Sequence, residues 1–151
     1  MLSISRQTDY AARIVLHLAT RPPEERSSIA ELSRSRRLPV PFVRRIVSRL
    51  AEAGILDTVR GRDGGIRLAR PASALSLQDV VAAMEGPIAL NLCLEKAGVC
   101  TFAGDCVARE VWTEASRLLE NHLRATSFSR LAERASGATS PPPERTATWT
   151  P

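Results

Sequence analysis

PFVRRIVSRLAEAGILDTVRGRDGGIRL, residues 41–68, changes its periodicity halfway along. Up to Ala53, Phe42 or Val43 and then Ile46, Val47 and Leu50 recur at the three-and-four spacing of a helix. Pro41 suits the first helical position, where a missing N–H costs nothing. Gly54 suits the C-terminal cap, where the backbone turns left-handed. Arg44, Arg45 and Arg49 lie off the apolar stripe. From Ile55 the spacing falls to two. Ile55-Leu56, Thr58-Val59 and Ile66-Arg67-Leu68 read as two strands, and Asp63-Gly64-Gly65 supplies the backbone angles of a hairpin tip. The stretch predicts a helix with arginines on its open face, followed by a hairpin carrying Arg60 and Arg62.

Upstream, Tyr10, Ala11, Ile14, Val15, Leu18 and Ala19 predict a first helix over about Ser5–Thr20. Ser28 and Glu31 stand at capping-box spacing and open a short helix ending near Arg36. Two helices joined by a tight turn make a helix-turn-helix, and a hairpin directly after the second one is a wing. Downstream, Val111, Ala115, Leu118, Leu119 and His122 form one stripe, with Trp112 beside it, on a helix over about Asp105–Ala125. A single long helix outside a small domain has too little of its own chain to bury against, so it is expected to pair with its twin. Phe128, Leu131 and Ala132 suggest a final short helical turn, and the proline-, serine- and threonine-rich segment after it a disordered tail.

The expected fold is mostly α with a small β-hairpin: a winged helix-turn-helix domain plus a long dimerisation helix. Its divisions are the winged domain at 1–85, a cysteine loop at 86–107, the dimerisation helix and final turn at 108–135, and the tail at 136–151.

Charge separates this fold from a bland helical domain. The chain carries +5 overall, with twenty arginines and one lysine. Between Arg34 and Arg70 ten arginines stand against three acids, a net +7, which leaves −2 for the rest. A basic block inside a folded domain is the footprint of nucleic acid. Arg44 and Arg45 are the candidates for base contact, since a guanidinium pairs bidentately with guanine. Arg36, Arg37 and Arg49 are candidates for phosphates. Arg60 and Arg62 on the wing are placed at the minor groove or its phosphates.

All three cysteines, Cys93, Cys100 and Cys106, fall within fourteen residues. The N-terminus lacks the pattern of a secretion signal, and no apolar run approaches the roughly 18 residues that span a bilayer. The expected location is the cytoplasm, without membrane attachment. Thiols there stay reduced, so a cluster of them points to metal or redox chemistry. The gaps of six and five residues are a poor match to zinc sites, whose cysteines pair two to four apart. Wider gaps, with Gly98 and Gly104 between, suit thiolates wrapping one iron–sulfur cluster. Three cysteines leave a fourth ligand to be found. His122 is excluded within one subunit by distance along its helix, and His17 reads as core or surface.

SRQTDYAAR at the start, SRLAEAGILDTVRGRDGGIRLARP in the helix and wing, SLQDVVAAMEG after it, and the three-cysteine loop together resemble the Rrf2 family of bacterial winged-helix regulators. That family includes the IscR, NsrR and RirA types. The resemblance runs from about Ser3 to Ala132. It implies a symmetric homodimer, binding to a near-palindromic double-stranded operator, and control by a cluster in the cysteine loop. In some relatives a histidine three residues after the last cysteine is the fourth ligand. Arg109 stands there in this chain and cannot ligate. In the nitric-oxide-sensing relatives an aspartate in a T-D motif reaches the partner's cluster, and Thr8-Asp9 matches it. The resemblance therefore implies Cys93, Cys100, Cys106 and Asp9 as ligands. The 4Fe–4S form is favoured, with 2Fe–2S as the alternative.

The expected function is a DNA-binding transcriptional regulator, a repressor, controlled by an iron–sulfur cluster that senses iron, redox state or nitric oxide. A cluster-free winged-helix regulator with structural zinc or redox-active thiols is the alternative. A small iron–sulfur electron carrier is a third. No Ser-His-Asp set or phosphate-cradling glycine loop argues for an enzyme.

Overall fold

Ser5 opens the first helix of the computed structural model, which describes residues 4–61, 64–96, 98–102 and 104–137. Its Oγ accepts from the Thr8 amide at 3.3 Å, satisfying one of the donors that a helix start leaves free. Helix α1 (Arg6–Ala19) buries Thr8, Ala11, Ile14, Val15 and Leu18 along one face. Helix α2 (Ile29–Arg36) is capped by Ser28, whose Oγ accepts from the Glu31 amide at 3.1 Å. Glu31 does not complete the box that its spacing suggests: its carboxylate accepts from Arg21. The complete box occurs later, at Ser76 and Asp79. Arg37 then turns left-handed at φ 54°, ending α2.

Helix α3 (Val40–Glu52) starts one residue before the proline expected to begin it, with Pro39 at its cap. It buries Val43, Ile46, Val47 and Leu50. Gly54 follows at φ 67°, and the Ile55 amide reaches back to the Leu50 carbonyl at 2.9 Å, as a left-handed cap requires. The wing is strand β1 (Leu56–Val59) antiparallel to β2 (Gly65–Leu68), with Leu56 opposite Leu68 and Val59 opposite Gly65. Ser27 adds a third edge through paired bonds of 2.9 Å with Ile66. Glycine is required at the return of the hairpin. A Cβ on Gly64 would collide with the Val59 carbonyl, and one on Gly65 would lie 2.8 Å from the Arg26 Cβ.

Helix α4 (Leu77–Glu85) follows a single 3-10 turn, and a short α5 (Leu92–Glu95) leads into the cysteine loop. Helix α6 (Val107–Arg124) leaves the core: Ser116 is its one buried residue. Its Oγ donates to the Trp112 carbonyl at 2.8 Å and accepts from the Leu90 amide at 3.3 Å. The chain then returns. Instead of the short turn expected from three apolar residues, α7 (Phe128–Gly137) runs for 10 residues and packs on α1. Phe128 is fully buried and belongs to the same core as Ile14, Leu32, Ile46, Leu50 and Leu75. The Phe128 amide donates to Leu75 at 2.9 Å and the Leu77 amide to Thr126 at 3.0 Å, so α7 is sewn to the start of α4. Helicity thus passes the start assigned to the tail at 136, and from 138 onward the tail lies outside the described residues.

Phe128→Ala is expected to cost about 3–5 kcal/mol, because it removes a wholly enclosed ring from the core where α7 packs on α1 and the 3-10 turn. Urea unfolding measures this. A loss under about 1 kcal/mol would show that α7 is dispensable to the head. Among the described residues no helix is long and apolar enough to cross a membrane.

Candidate nucleic-acid interface and cysteine loop

With one side of α3 committed to the core, its other side presents Arg44, Arg45 and Ser48 to solvent, and Arg49 half-buried. Arg44 and Ser48 face the wing across a cleft of about 500 Å³ whose far wall includes Thr58, Arg60 and Gly61. The packing of α3 on β1 therefore brings one recognition-helix arginine and one wing arginine to the same groove. Arg37 is exposed at the turn between α2 and α3. Arg62, the other wing arginine expected to meet DNA, lies outside the described residues.

Arg36 sits differently. Its Nη2 donates to His17 Nδ1 at 2.7 Å, and the side chain is drawn back against α1. Arg21 approaches the other face of the ring, 3.3 Å from Nε2, and itself pairs with Glu25 and Glu31. A guanidinium can only donate, so the ring faces a donor at each nitrogen and, when neutral, accepts from only one of them. Burial, then Arg36 and Arg21, push the His17 pKa below its ordinary value, against a weaker pull from Glu31 and Glu25. Arg36 thus locks α1 to α2 and does not reach outward like its neighbour Arg37.

The unfolded chain protonates His17 near 6.5 while the folded chain resists, so the unfolded state binds more protons just below that pH. This part of the stability is present above 6.5 and is lost as pH falls below it. Melting temperatures between about pH 7.5 and 5.5 should drop towards acid, and His17→Gln should flatten that slope. An equal slope in the variant would place the titration elsewhere.

The T-D motif divides its two residues. Thr8 is buried, and its Oγ1 donates to Glu85 Oε1 at 2.5 Å, while the Ser5 amide donates to the same oxygen at 2.9 Å. Burial opposes ionisation of Glu85, but these hydrogen bonds outweigh it and hold the carboxyl below its ordinary range. The start of α1 is thereby tied to the end of α4. Asp9 points away from this lock, exposed, and accepts from Arg13 Nε at 2.9 Å.

The cysteines are spread along the loop: Cys93 within α5, Cys100 in the turn after Gly98, and Cys106 at the N-cap of α6. All three are free and half-buried, and Gly98 adopts φ 81°, letting the loop curl. Among the described residues no three His, Cys, Asp or Glu side chains are gathered into a set that could hold a metal ion. The donors fit a thiolate-bound cluster in kind, and one chain by itself does not assemble them. Beyond the loop, Val107, Val111 and Leu118 on α6 are 77%, 62% and 60% exposed, which leaves a long apolar face without cover.

Sequence reasoning missed the Ser5–Thr8–Glu85 lock. A signal was present: Thr8 falls three residues before Ala11, on the buried stripe, and a buried hydroxyl needs a partner. It also missed a contact between Tyr10 and Phe42, which periodicity on two separate helices cannot pair.

The profile of the Rrf2 family, described as an iron-dependent transcriptional regulator, matches residues 4–134. The chain is 37% identical over 106 residues to Protein aau3 of Rhizobium meliloti, covering 70% of this chain and 68% of that one. It is 27% identical over 115 residues to the HTH-type transcriptional regulator NsrR of Oceanobacillus iheyensis, covering 76% and 78%. The solved structure of CymR, the global cysteine regulator of B. subtilis, superposes with a TM-score of 0.72 at 27% identity, covering 89% of this chain and 98% of that one. The helix-turn-helix, the wing and the family profile agree, and this chain belongs to the Rrf2 family of iron-dependent transcriptional regulators.

Proposed function

We propose that this regulator acts in the cytoplasm as a homodimeric repressor whose grip on a near-palindromic operator is set by an iron–sulfur cluster. Cys93, Cys100 and Cys106 would hold the cluster, with Asp9 of the second subunit as the fourth ligand. The observation that carries this reading is the loop itself: three free, half-buried thiols between the winged head and α6. When bound there, the cluster would supply a link whose strength depends on iron, oxidant or nitric oxide, 4Fe–4S being favoured over 2Fe–2S. The oxygen of Asp9 is a harder ligand than thiolate and makes that link easier to break.

The protein's own residues do the rest. Arg44 and Arg45 read bases; Arg37, Arg49, Arg60 and Arg62 hold the backbone. The Ser5–Thr8–Glu85 lock makes the start of α1 move as one body with α4 and the head. A pull on Asp9 therefore turns the whole head relative to α6. Two heads held across α6 meet successive major grooves, about one helical turn apart.

Absorption of anaerobically purified protein, with iron, sulfide and zinc assayed on the same sample, tests the reading. Broad visible absorbance with matching iron and sulfide supports it. Colourless protein that refuses iron and sulfide but holds stoichiometric zinc replaces it with a structural-metal regulator. Colourless protein without metal, whose DNA affinity changes on thiol oxidation, replaces it with a thiol switch. The seam has its own test. Val111→Glu with Leu118→Glu is expected to convert a dimer to a monomer in light scattering, since four charges would enter one apolar interface. An unchanged dimer would place the seam away from α6.

A further inference from the structure

Tyr10 follows Asp9 on α1, and its ring meets Phe42 of α3 edge to face, with centroids 5.7 Å apart and planes at 86°. Arg45 lies one turn beyond Phe42 and sets its guanidinium over that ring, 5.9 Å from the centroid. The three side chains form a stack that starts on α1 and ends on the open face of α3. Tyr10 and Phe42 are half-buried, and Arg45 is exposed.

Packing alone does not call for this arrangement. The buried stripe of α3 is complete in Val43, Ile46, Val47 and Leu50, and Phe42 stands beside it. A leucine there would cover similar apolar surface, but only a ring offers a face to a cation. An exposed arginine otherwise samples many rotamers, and freezing one on a base edge weakens binding. A ring beneath the guanidinium removes part of that freedom before DNA arrives. Arg44, which faces the wing across the cleft, is ordered from a different side.

We infer that Tyr10 and Phe42 are positioning residues for Arg45, so that Phe42 helps set base preference without itself reading a base. This rests on α3 being the base-reading helix. The stack also gives the tyrosine at residue 10 of α1 a role: its edge-to-face contact sets the tilt of the Phe42 ring, and that ring sets Arg45.

Selection of duplexes from a randomised pool tests it, with wild type, Arg44→Ala, Arg45→Ala, Phe42→Leu, Phe42→Tyr and Tyr10→Leu. Arg45→Ala should relax preference at one position in each half-site. Phe42→Leu should relax the same position, by roughly two- to fivefold in discrimination, and add nothing to Arg45→Ala. Phe42→Tyr keeps a ring face and should restore the preference. Tyr10→Leu leaves α3 untouched and should weaken it in the same direction, which decides the matter if Phe42→Leu melts early. A wild-type preference in Phe42→Leu, or an equal loss in Phe42→Tyr, overturns the inference. If Arg45→Ala changes nothing while Arg44→Ala flattens the profile, the inference falls and α3 remains the reader. If wild type enriches no sequence, the reading of α3 falls with it.

Discussion

Replacing Arg44 and Arg45 together by alanine is expected to weaken binding to a selected operator at least roughly 100-fold, while the melting temperature stays near wild type. A bidentate arginine–guanine pair discriminates by about 1–3 kcal/mol, and a two-fold dimer loses each pair twice. Stability should hold because both side chains lie off the face that buries Val43, Ile46, Val47 and Leu50. Gel mobility shift against operator and against scrambled duplex of equal length measures the loss. It should fall mainly on the operator. Arg60→Ala should behave differently: a modest loss on both duplexes and a salt slope reduced by about one, as expected of a phosphate contact. Arg36→Ala should differ again, lowering the melting temperature more than the affinity, because its guanidinium is spent on His17. An operator affinity unchanged in the double variant would remove α3 from the groove and leave the wing and the α2–α3 turn as the contact surface.

These four arginines mark how far the sequence could be read. The helix-turn-helix and wing were legible because their signals are local: an apolar stripe at helical spacing, a glycine at its end, and a period-two run with glycines between. The tight turn at Gly64 and Gly65 needs no knowledge of the rest of the fold beyond its neighbours Val59 and Arg26. Arg36 and Arg37 look alike in sequence. Their difference is made by the left-handed turn at Arg37 and by the packing of α2 on α1, which turns one inward to His17 and leaves the other outside. The same limit hid Glu31, whose spacing promises a cap and whose carboxylate goes to Arg21. It hid α7 as well, whose three apolar residues gain their meaning from packing on α1 and on the 3-10 turn before α4, which local pattern does not describe. Ser76 and Asp79 show the converse: a local signal, readable as the start of a helix, which the structure completes in full. The cysteine loop was legible in composition and spacing. What the loop holds was not, because among the described residues its donors are not gathered into a metal-binding set, and the fourth ligand proposed above would come from a second chain.

Cys106→Ser carries the second large expected effect: loss of nearly all iron, sulfide and visible absorbance from anaerobically purified protein. Cys106 is the discriminating choice among the three because it is the N-cap of α6. Serine is a good N-cap residue, so the substitution removes a soft thiolate without weakening the helix behind it. A protein that loses its colour but keeps its melting temperature and dimeric mass has lost a ligand and nothing else. Cys93→Ser and Cys100→Ser should give the same result, since three thiolates are already one short of a usual cluster. Asp9→Ala should give a smaller one: colour retained without oxygen, and bleaching several times faster in air. The exposed Asp9 pairs with Arg13 within its own helix, so losing it costs the fold little and isolates its role towards the loop. If all three serine variants kept iron and sulfide, the loop would not be the site. If Asp9→Ala bleached no faster than wild type, the fourth ligand would lie elsewhere while the three thiols kept theirs. The Arg44→Ala, Arg45→Ala protein must stay coloured in the same assay, and the Cys106→Ser protein must still bind scrambled duplex. Only that crossed pair of results separates a regulator with a sensing loop from an iron–sulfur carrier that happens to be basic.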